Sequence, residues 1–320
     1  MSRTATREGS PWTGLGPVFA KELADQLSSV RMRVLELIVL VAAVGAVYVA
    51  GQQLRATVSE SPIAFLQLFT TAQDPLPSFV TFLDFFVPLV AISLGFDAVN
   101  GEAARRTLSR VLAQPIYRDA LLAGKFLAAL ATLALLLLGL WLVTTGLGIL
   151  ALGIPPSGGE VARGLLFLVV TLLYAGVWLS LAMLCSMLFR QPATSAMVSL
   201  GAWIFFAVLW PVFASYLAQA LTGPAILPEA QLRQAELLAA FGRIDPGTLY
   251  AGAVQVLLHP SVRSLGPVFF SQLDRALIGA PLPLGQSVLL AWPQTVALLS
   301  AACLLFALGY VVFQRREIRA

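Results

Sequence analysis

The chain has 320 residues, of which 58% are hydrophobic and only 11% are charged, and its formal net charge is +4. Soluble domains usually carry about a quarter charged residues, so this composition excludes an ordinary water-soluble globular domain. The small positive charge does not indicate a nucleic-acid binder, because the basic residues stand at the ends of apolar stretches and form no continuous patch.

Long stretches without any Asp, Glu, Lys, Arg or His dominate the sequence. They cover residues 126–159, 164–189, 191–228 and 276–314, with a shorter one at 37–54. About 20 apolar helical residues cross a bilayer core of about 30 Å, and backbone groups inside lipid must pair within a helix. We therefore predict an all-α, polytopic membrane protein with six transmembrane helices. The predicted spans are 34–51, 79–98, 126–150, 164–188, 194–217 and 289–313.

The first element in chain order is an amphipathic helix at residues 12–33. Its apolar side chains recur at helical spacing and face a polar side that contains Lys21, Glu22, Asp25 and Gln26. The apolar positions are Leu15, Val18, Phe19, Leu23, Leu27 and Val30. This pattern predicts a helix that lies on the inner face of the membrane.

The second predicted span contains Asp84 and Pro88. Asp84 lies about a turn and a half from the predicted outer surface, among aromatic residues. Charged side chains at membrane depth are costly and frequently have a function. Asp84 either bonds a neighbouring helix or belongs to a substrate or ion site, and the sequence leaves both interpretations open. Asp97 is predicted to reach the interface at the inner end of the same span.

Residues 99–125 form the long loop predicted on the inner side. An apolar stripe at helical spacing runs through this loop, and arginines flank it. The stripe consists of Leu108, Val111, Leu112, Pro115 and Ile116, and the flanking residues are Arg105, Arg106 and Arg110. Such a helix either extends its arginines into lipid headgroups or docks on a cytoplasmic partner.

The outer segment at residues 218–288 is rich in Pro and Gly but contains two helical signals. One is a short amphipathic pattern at 229–241. The other is Asp245 followed by Pro246, an N-cap with proline at the first helical position, which predicts a helix to about residue 258. We expect this helix to pack on the spans or to dip into the outer leaflet. The whole chain, 1–320, is thus predicted to be one transmembrane domain.

The distribution of Lys and Arg predicts the orientation. With both termini inside, fourteen of the 20 basic residues fall in inner segments and six in outer segments. Cytoplasmic segments near membrane spans carry the excess of Lys and Arg. The prediction is therefore that both termini are cytoplasmic.

Catalytic and nucleotide-binding motifs are missing. His259 is the one histidine, so neither a zinc site built on several histidines nor an imidazole-activated nucleophile can be assembled at membrane depth. The one Gly-Lys pair, Gly124 and Lys125, has Asp119 where a phosphate-binding loop needs its first glycine. We predict no catalytic residue and no metal site, and any ATP hydrolysis must take place on another chain.

The segment from Phe85 to Leu127 resembles type-2 ABC exporter permeases. It reads FFVPLVAISLGFDAVNGEAARRTLSRVLAQPIYRDALLAGKFL. The matching elements are Glu102, Thr107 with Leu108, Leu112, Pro115, Arg118, and Gly124 with Lys125; Arg106 replaces a glycine of the family pattern. The likeness is closest to the nitrous-oxide-reductase maturation and gliding-motility subgroup, in which Asp97 and Glu102 have counterparts.

This resemblance implies a role for the inner loop. Its helix would be the coupling helix, seated in a cleft of a separate ATPase subunit. The implied ATPase-coupling residues are Glu102, Thr107, Leu108, Leu112, Pro115, Arg118 and Lys125. The working unit would contain two ATPases and a homodimer of the permease. It would lie in the inner membrane of a prokaryote. ATP and Mg would bind the ATPase, and this chain would hold no cofactor.

A different class of transporter is the alternative. A stand-alone, ion-coupled secondary carrier would explain six spans and the intramembrane Asp84. Such carriers are commonly built from internal repeats, and residues 1–150 and 151–320 share no pattern of loops or breakers.

Overall fold

The computed structural model of the protein describes residues 12–54, 64–72, 77–104, 117–223, 228–262 and 282–315. All regular structure within these ranges is helical. The helices are α1 (Leu15–Ser28), α2 (Val30–Leu54), α3 (Ala64–Thr70), α4 (Phe79–Gly95), α5 (Asn100–Ala104), α6 (Arg118–Leu152), α7 (Gly158–Leu188), α8 (Pro192–Ile204), a π-helix (Phe205–Leu209), α9 (Trp210–Thr222), α10 (Pro228–Gly242), α11 (Pro246–Leu258) and α12 (Leu284–Arg315).

Six helical segments are long and apolar enough to cross a membrane, so the prediction of six spans is confirmed. They are α2, α4 with α5, α6, α7, α8 to α9, and α12. Most extend beyond the predicted limits, because the turns that flank the apolar core are also helical. The helix α6, for example, begins at Arg118 rather than at residue 126.

The helix α7 lies at the centre of the bundle and packs against α4, α6, α8, α11 and α12. In its most apolar stretch 61% of the residues are buried, compared with 11% in the span from α8 to α9. The span from α8 to α9 therefore forms an edge of the bundle. Within the bundle, close approach of helices depends on small residues: a Cβ at Gly95 of α4 would lie 2.9 Å from the Ala182 Cβ of α7.

The amphipathic segment at 12–33 is two helices rather than the single one predicted. Ser29 has an extended backbone and separates α1 from α2. Its hydroxyl oxygen accepts a hydrogen bond from the Met32 backbone N–H at 3.2 Å, as an N-cap does. The Ser29 hydroxyl competes with main-chain carbonyl groups for a backbone N–H donor. This competition ends α1 and starts the first span.

The segment between the last two spans contains the two predicted helices, α10 and α11. Asp245 caps α11 by accepting from the Gly247 and Thr248 backbone N–H groups at 3.0 and 2.9 Å. The helix α11 packs on α7 and α12 with Ala253, Val256 and Leu257 buried, so it lies on the spans. The short helix α3, which was not predicted, packs beside α2 and α4.

Chain direction divides the bundle into two sides. The α1 side carries α1, α5 and the ends of α7 and α12, together with the starts of α2, α6 and α8. The α11 side carries α3, α10 and α11, together with the end of α6 and the starts of α4, α7 and α12. Both names refer to position in the fold only.

Candidate functional site at the α1 side of the bundle

A glycine brings α1 against α6. A Cβ at Gly124 would lie 2.7 Å from Val18 Cγ1, so only a residue without a side chain fits this contact. Val18 is correspondingly buried. The close approach places the polar face of α1, with Glu22, beside the first turns of α6.

Lys125 is the centre of a charged cluster formed at this contact. Its side chain is only 5% exposed, and its Nζ lies 2.9 Å from Glu22 Oε1 and 2.7 Å from Glu102 Oε1. We call these three residues the Lys125 cluster. Two carboxylates around one buried ammonium compensate the desolvation of the charge through short, charge-assisted hydrogen bonds. The cluster therefore links α1, α5 and α6, and loses much of its stability if one partner is removed.

Further polar contacts surround the Lys125 cluster. Arg31 at the start of α2 lies 3.2 Å from Asp97 Oδ2, and its guanidinium carbon lies 5.2 Å from the centre of the Phe96 ring. Asp97 thus pairs at the end of its span, where the sequence predicted an interfacial position. A cavity of about 210 Å³ lies among these side chains.

Lys21 extends the cluster toward solvent. It pairs with Glu22 at 3.2 Å and with Asp25 at 3.0 Å. Although partial burial by itself would lower the pKa of Lys21, hydrogen bonds and charges from Asp25 and Glu22 raise it overall. Lys21 therefore stays protonated near neutral pH and shares the carboxylate of Glu22 with Lys125.

The ends of α6 and α12 also meet on the α1 side. Gln314 of α12 donates a hydrogen bond from its Nε2 to Asp119 Oδ1, in the first turn of α6. Arg118 is the first residue of α6 and is half-buried. The start of α6 is thereby held by α1 through Lys125 and by α12 through Asp119.

The structure brings two of the predicted coupling residues together and leaves others undescribed. Glu102 and Lys125 form an ion pair, and Arg118 lies two turns before Lys125 on the same helix. Thr107, Leu108, Leu112 and Pro115 lie outside the described residues. Glu22 was not predicted as a site residue, and the signal that pointed to it was its place on the polar face of the amphipathic helix.

Asp84, the remaining candidate, lies near the α11 side of the bundle. The Tyr174 hydroxyl donates to the Asp84 main-chain carbonyl at 3.1 Å, so this bond between α7 and α4 uses the backbone. Asp84 Oδ1 is buried without a hydrogen-bond partner among the described residues. The structure therefore separates Asp84 from the Lys125 cluster and places it in a different environment.

Comparison with known proteins agrees with this architecture. The chain matches the family described as ABC-2 family transporter protein over residues 17–318. A "Probable ABC transporter permease protein NosY" from Stutzerimonas stutzeri is 27% identical over 303 residues, which cover 92% of this chain and 96% of that protein. A protein of the same name from Pseudomonas aeruginosa strain PAO1 is 33% identical over 165 residues, which cover 50% of this chain and 59% of that protein.

These matches confirm the resemblance drawn from residues 85–127. They also imply that the chain has an ATPase subunit as its partner, because its sequence carries no phosphate-binding loop. The chain therefore belongs to the ABC-2 transporter family and is the multi-pass membrane permease component of an ABC transporter.

Proposed function

We propose that this permease exports its substrate by coupling to a separate ATPase through the loop at residues 99–125. The single observation that carries the proposal is the Lys125 cluster, in which Lys125 lies 2.7 Å from Glu102. These two residues flank the segment with the predicted coupling stripe. A force applied to that segment therefore acts on α5 and α6 at a point where both are ion-paired.

The α1 side would face the cytoplasm. The segments that the sequence predicts to be inner hold fourteen of the 20 Lys and Arg residues, and cytoplasmic segments carry such an excess. The amphipathic helix α1 would lie at the same interface. The chain would reside in the inner membrane of a prokaryote, with the ATPase and its ATP and Mg below α1.

The working unit would contain two copies of this permease and two ATPases. The span from α8 to α9 supports a second copy, because only 11% of its most apolar stretch is buried within one chain. Closure of the ATPases would move the coupling segments and shift the permease pair between inward-facing and outward-facing states. The ATPase must bind these two states with different free energies to drive the change.

Substitution of Leu112 by Asp tests the coupling assignment. We expect Leu112→Asp to dissociate or uncouple the ATPase while the permease still folds, because it places a charge in an apolar docking stripe. The measurement is co-purification of the ATPase together with its transport-dependent ATP hydrolysis.

Gln114→Asp is the matched control. It introduces the same charge two residues away, about 160° around a helical wheel from Leu112. We expect this variant to retain the ATPase. Normal assembly and ATP hydrolysis by Leu112→Asp would overturn the assignment of the coupling segment.

The alternative function, an ion-coupled secondary carrier, makes a different prediction for the same preparation. A carrier would move its substrate with energy from an ion gradient and without ATP. No ATPase would co-purify with it in equal amount. An exporter permease brings down its ATPase and loses transport when ATP is removed.

A further inference from the structure

A second polar cavity lies near the α11 side of the bundle, apart from the Lys125 cluster. It has a volume of about 350 Å³ and is bounded by α4, α7, the span from α8 to α9 with its π-helix, and the start of α11. Binding sites for small molecules commonly have volumes of about 300 to 1,000 Å³. The cavity is therefore large enough for a small organic molecule.

Acidic side chains border this cavity. Asp84 and Asp245 both border it, and the described residues that line it include no Lys, Arg or His. Both oxygens of the Asp245 carboxylate are hydrogen-bonded, because they accept from two backbone N–H groups of α11 and from the Thr248 hydroxyl at 2.8 Å. Asp84 Oδ1, in contrast, is buried and has no hydrogen-bond partner in the part of the chain that the structure describes. A carboxylate in this position at membrane depth favours a bound cation.

Aromatic rings form the walls of the cavity. Phe85 and Trp203 pack edge to face with their ring centres 5.0 Å apart, and Tyr174 and Trp178 complete the wall. Trp178 is only 2% exposed, and its Nε1 has no hydrogen-bond partner in the described part of the chain. Aromatic faces attract organic cations, so these rings suit a ligand that carries an ammonium group.

This chemistry favours an organic ammonium ion over a metal ion. Hard cations such as Ca²⁺ need six to eight oxygen ligands, and Mg²⁺ needs an octahedral set. Here Asp84 provides one carboxylate with an unpartnered oxygen, and most of the remaining wall is aromatic. An ammonium group needs only one acceptor when aromatic faces surround its alkyl part.

The π-helix gives one wall of the cavity an unusual backbone. The Trp210 backbone N–H donates to the Phe205 carbonyl, five residues earlier, in place of the usual bond to the fourth residue. Ala207, inside this turn, and Pro211, just after it, line the cavity. Such π-bulges are rare and are frequently found at functional sites.

We propose that this cavity binds a small organic ammonium ion, with Asp84 pairing with the ammonium group and Trp203, Phe85 and Tyr174 enclosing its alkyl part. The ammonium group can belong to a free amine or to the amine headgroup of a lipid. This inference does not depend on ATPase coupling or on the direction of transport.

Binding of n-butylammonium to the purified protein tests the proposal. The permease is placed in nanodiscs of phosphatidylglycerol, which has no amine, and binding is followed by calorimetry and by quenching of tryptophan fluorescence. We expect saturable binding of n-butylammonium and at least tenfold weaker binding of butan-1-ol, which has the same length without the charge.

Substitutions locate the site. Asp84→Asn should fold normally, as judged by gel filtration, and should reduce n-butylammonium binding at least tenfold. Glu229→Gln, which removes an exposed carboxylate from α10 on the same side of the bundle, is the matched control and should bind as the unmodified protein does.

A second nanodisc composition distinguishes a free amine from a lipid headgroup as the source of the ammonium group. If nanodiscs that contain phosphatidylethanolamine weaken binding of the probe by competition, the ligand is a lipid headgroup. Unchanged binding identifies a free amine. Equal binding of butan-1-ol and n-butylammonium overturns the proposal, and this result does not depend on whether the variants fold. Undiminished binding of n-butylammonium by a folded Asp84→Asn variant also overturns it.

Discussion

Lys125 shows how a charged residue can be buried near a membrane interface and still be stable. Its ammonium group is 5% exposed and contacts Glu22 at 2.9 Å and Glu102 at 2.7 Å. Neither carboxylate is adjacent in sequence, since they precede Lys125 by 103 and 23 residues. Lys125 therefore has both ion pairs only when three segments of the chain have assembled.

Lys125→Met should destabilise the purified permease. The substitution keeps the length of the side chain but removes the shared cation between Glu22 and Glu102, while Lys21 stays beside Glu22. Breaking a buried ion pair by removing one partner costs roughly 3–5 kcal/mol. We expect a lower Tm in a thermal unfolding scan. Arg233→Met, at an exposed position of α10, is the control and should leave the Tm nearly unchanged.

A double substitution checks the reason for this loss. If Lys125→Met destabilises by removing the cation between Glu22 and Glu102, then adding Glu22→Gln should recover part of the Tm. Additive destabilisation by the two substitutions would contradict the role of Lys125 as the shared partner.

At the scale of elements, α1 is held to the bundle by shape as well as by charge. Gly124 gives α1 its contact with α6, and Ser29 separates α1 from the first span so that it can turn onto that surface. Similar contacts recur in the bundle: a Cβ at Gly148 of α6 would lie 2.6 Å from Leu68 of α3. Small residues thus determine which helices come close together in this bundle.

Gly124→Ala should displace α1 from α6. The new Cβ would lie 2.7 Å from Val18 Cγ1, a distance that requires one helix to move. We expect a lower Tm and faster proteolysis within residues 15–28. Adding Val18→Ala, which removes the closest methyl group, should restore part of the protection.

Gly139→Ala is the matched control on the same helix. Nothing lies within 4 Å of a Cβ at this position. Alanine is favoured over glycine in a helix by up to about 1 kcal/mol, so this variant should be unchanged or slightly more stable. Equal effects of the two substitutions would show that helix propensity, and not the contact with Val18, controls the result.

The whole molecule has a buried centre and an open edge. The helix α7 is surrounded by other helices, whereas the span from α8 to α9 exposes large apolar residues such as Val208, Phe213 and Tyr216. A membrane span with so little internal packing is covered by lipid or by another protein. The proposed second permease copy would pack on this edge.

Cross-linking tests that arrangement. In a two-fold symmetric dimer, a residue close to the symmetry axis lies next to the same residue of the other copy. We expect Phe213→Cys, in a background with Cys303→Ser, to form a covalent dimer with a short thiol-specific reagent in membranes. Leu142→Cys, at an exposed position on α6, is the control and should stay monomeric. Equal cross-linking at both positions would contradict the proposed edge.

The sequence by itself determined the six spans, the helix predicted at 229–241 and the capped start of α11. These features depend on local physics: lipid leaves no partner for an unpaired backbone group, and Asp245 bonds amides only two and three residues away. The family could also be recognised from the sequence, because the residues that carry the resemblance form one contiguous stretch, 85–127.

The tertiary structure alone decided which polar residues meet. No local pattern predicts that Glu22 contacts Lys125 across 103 residues, or that Asp84 shares a cavity with Trp203 and Asp245. Nor does the apolar composition of 194–217 predict the π-helix, because one displaced hydrogen bond changes no hydrophobic pattern. Such contacts depend on how the helices pack, and packing is set by shape over the whole bundle rather than by any single stretch of sequence.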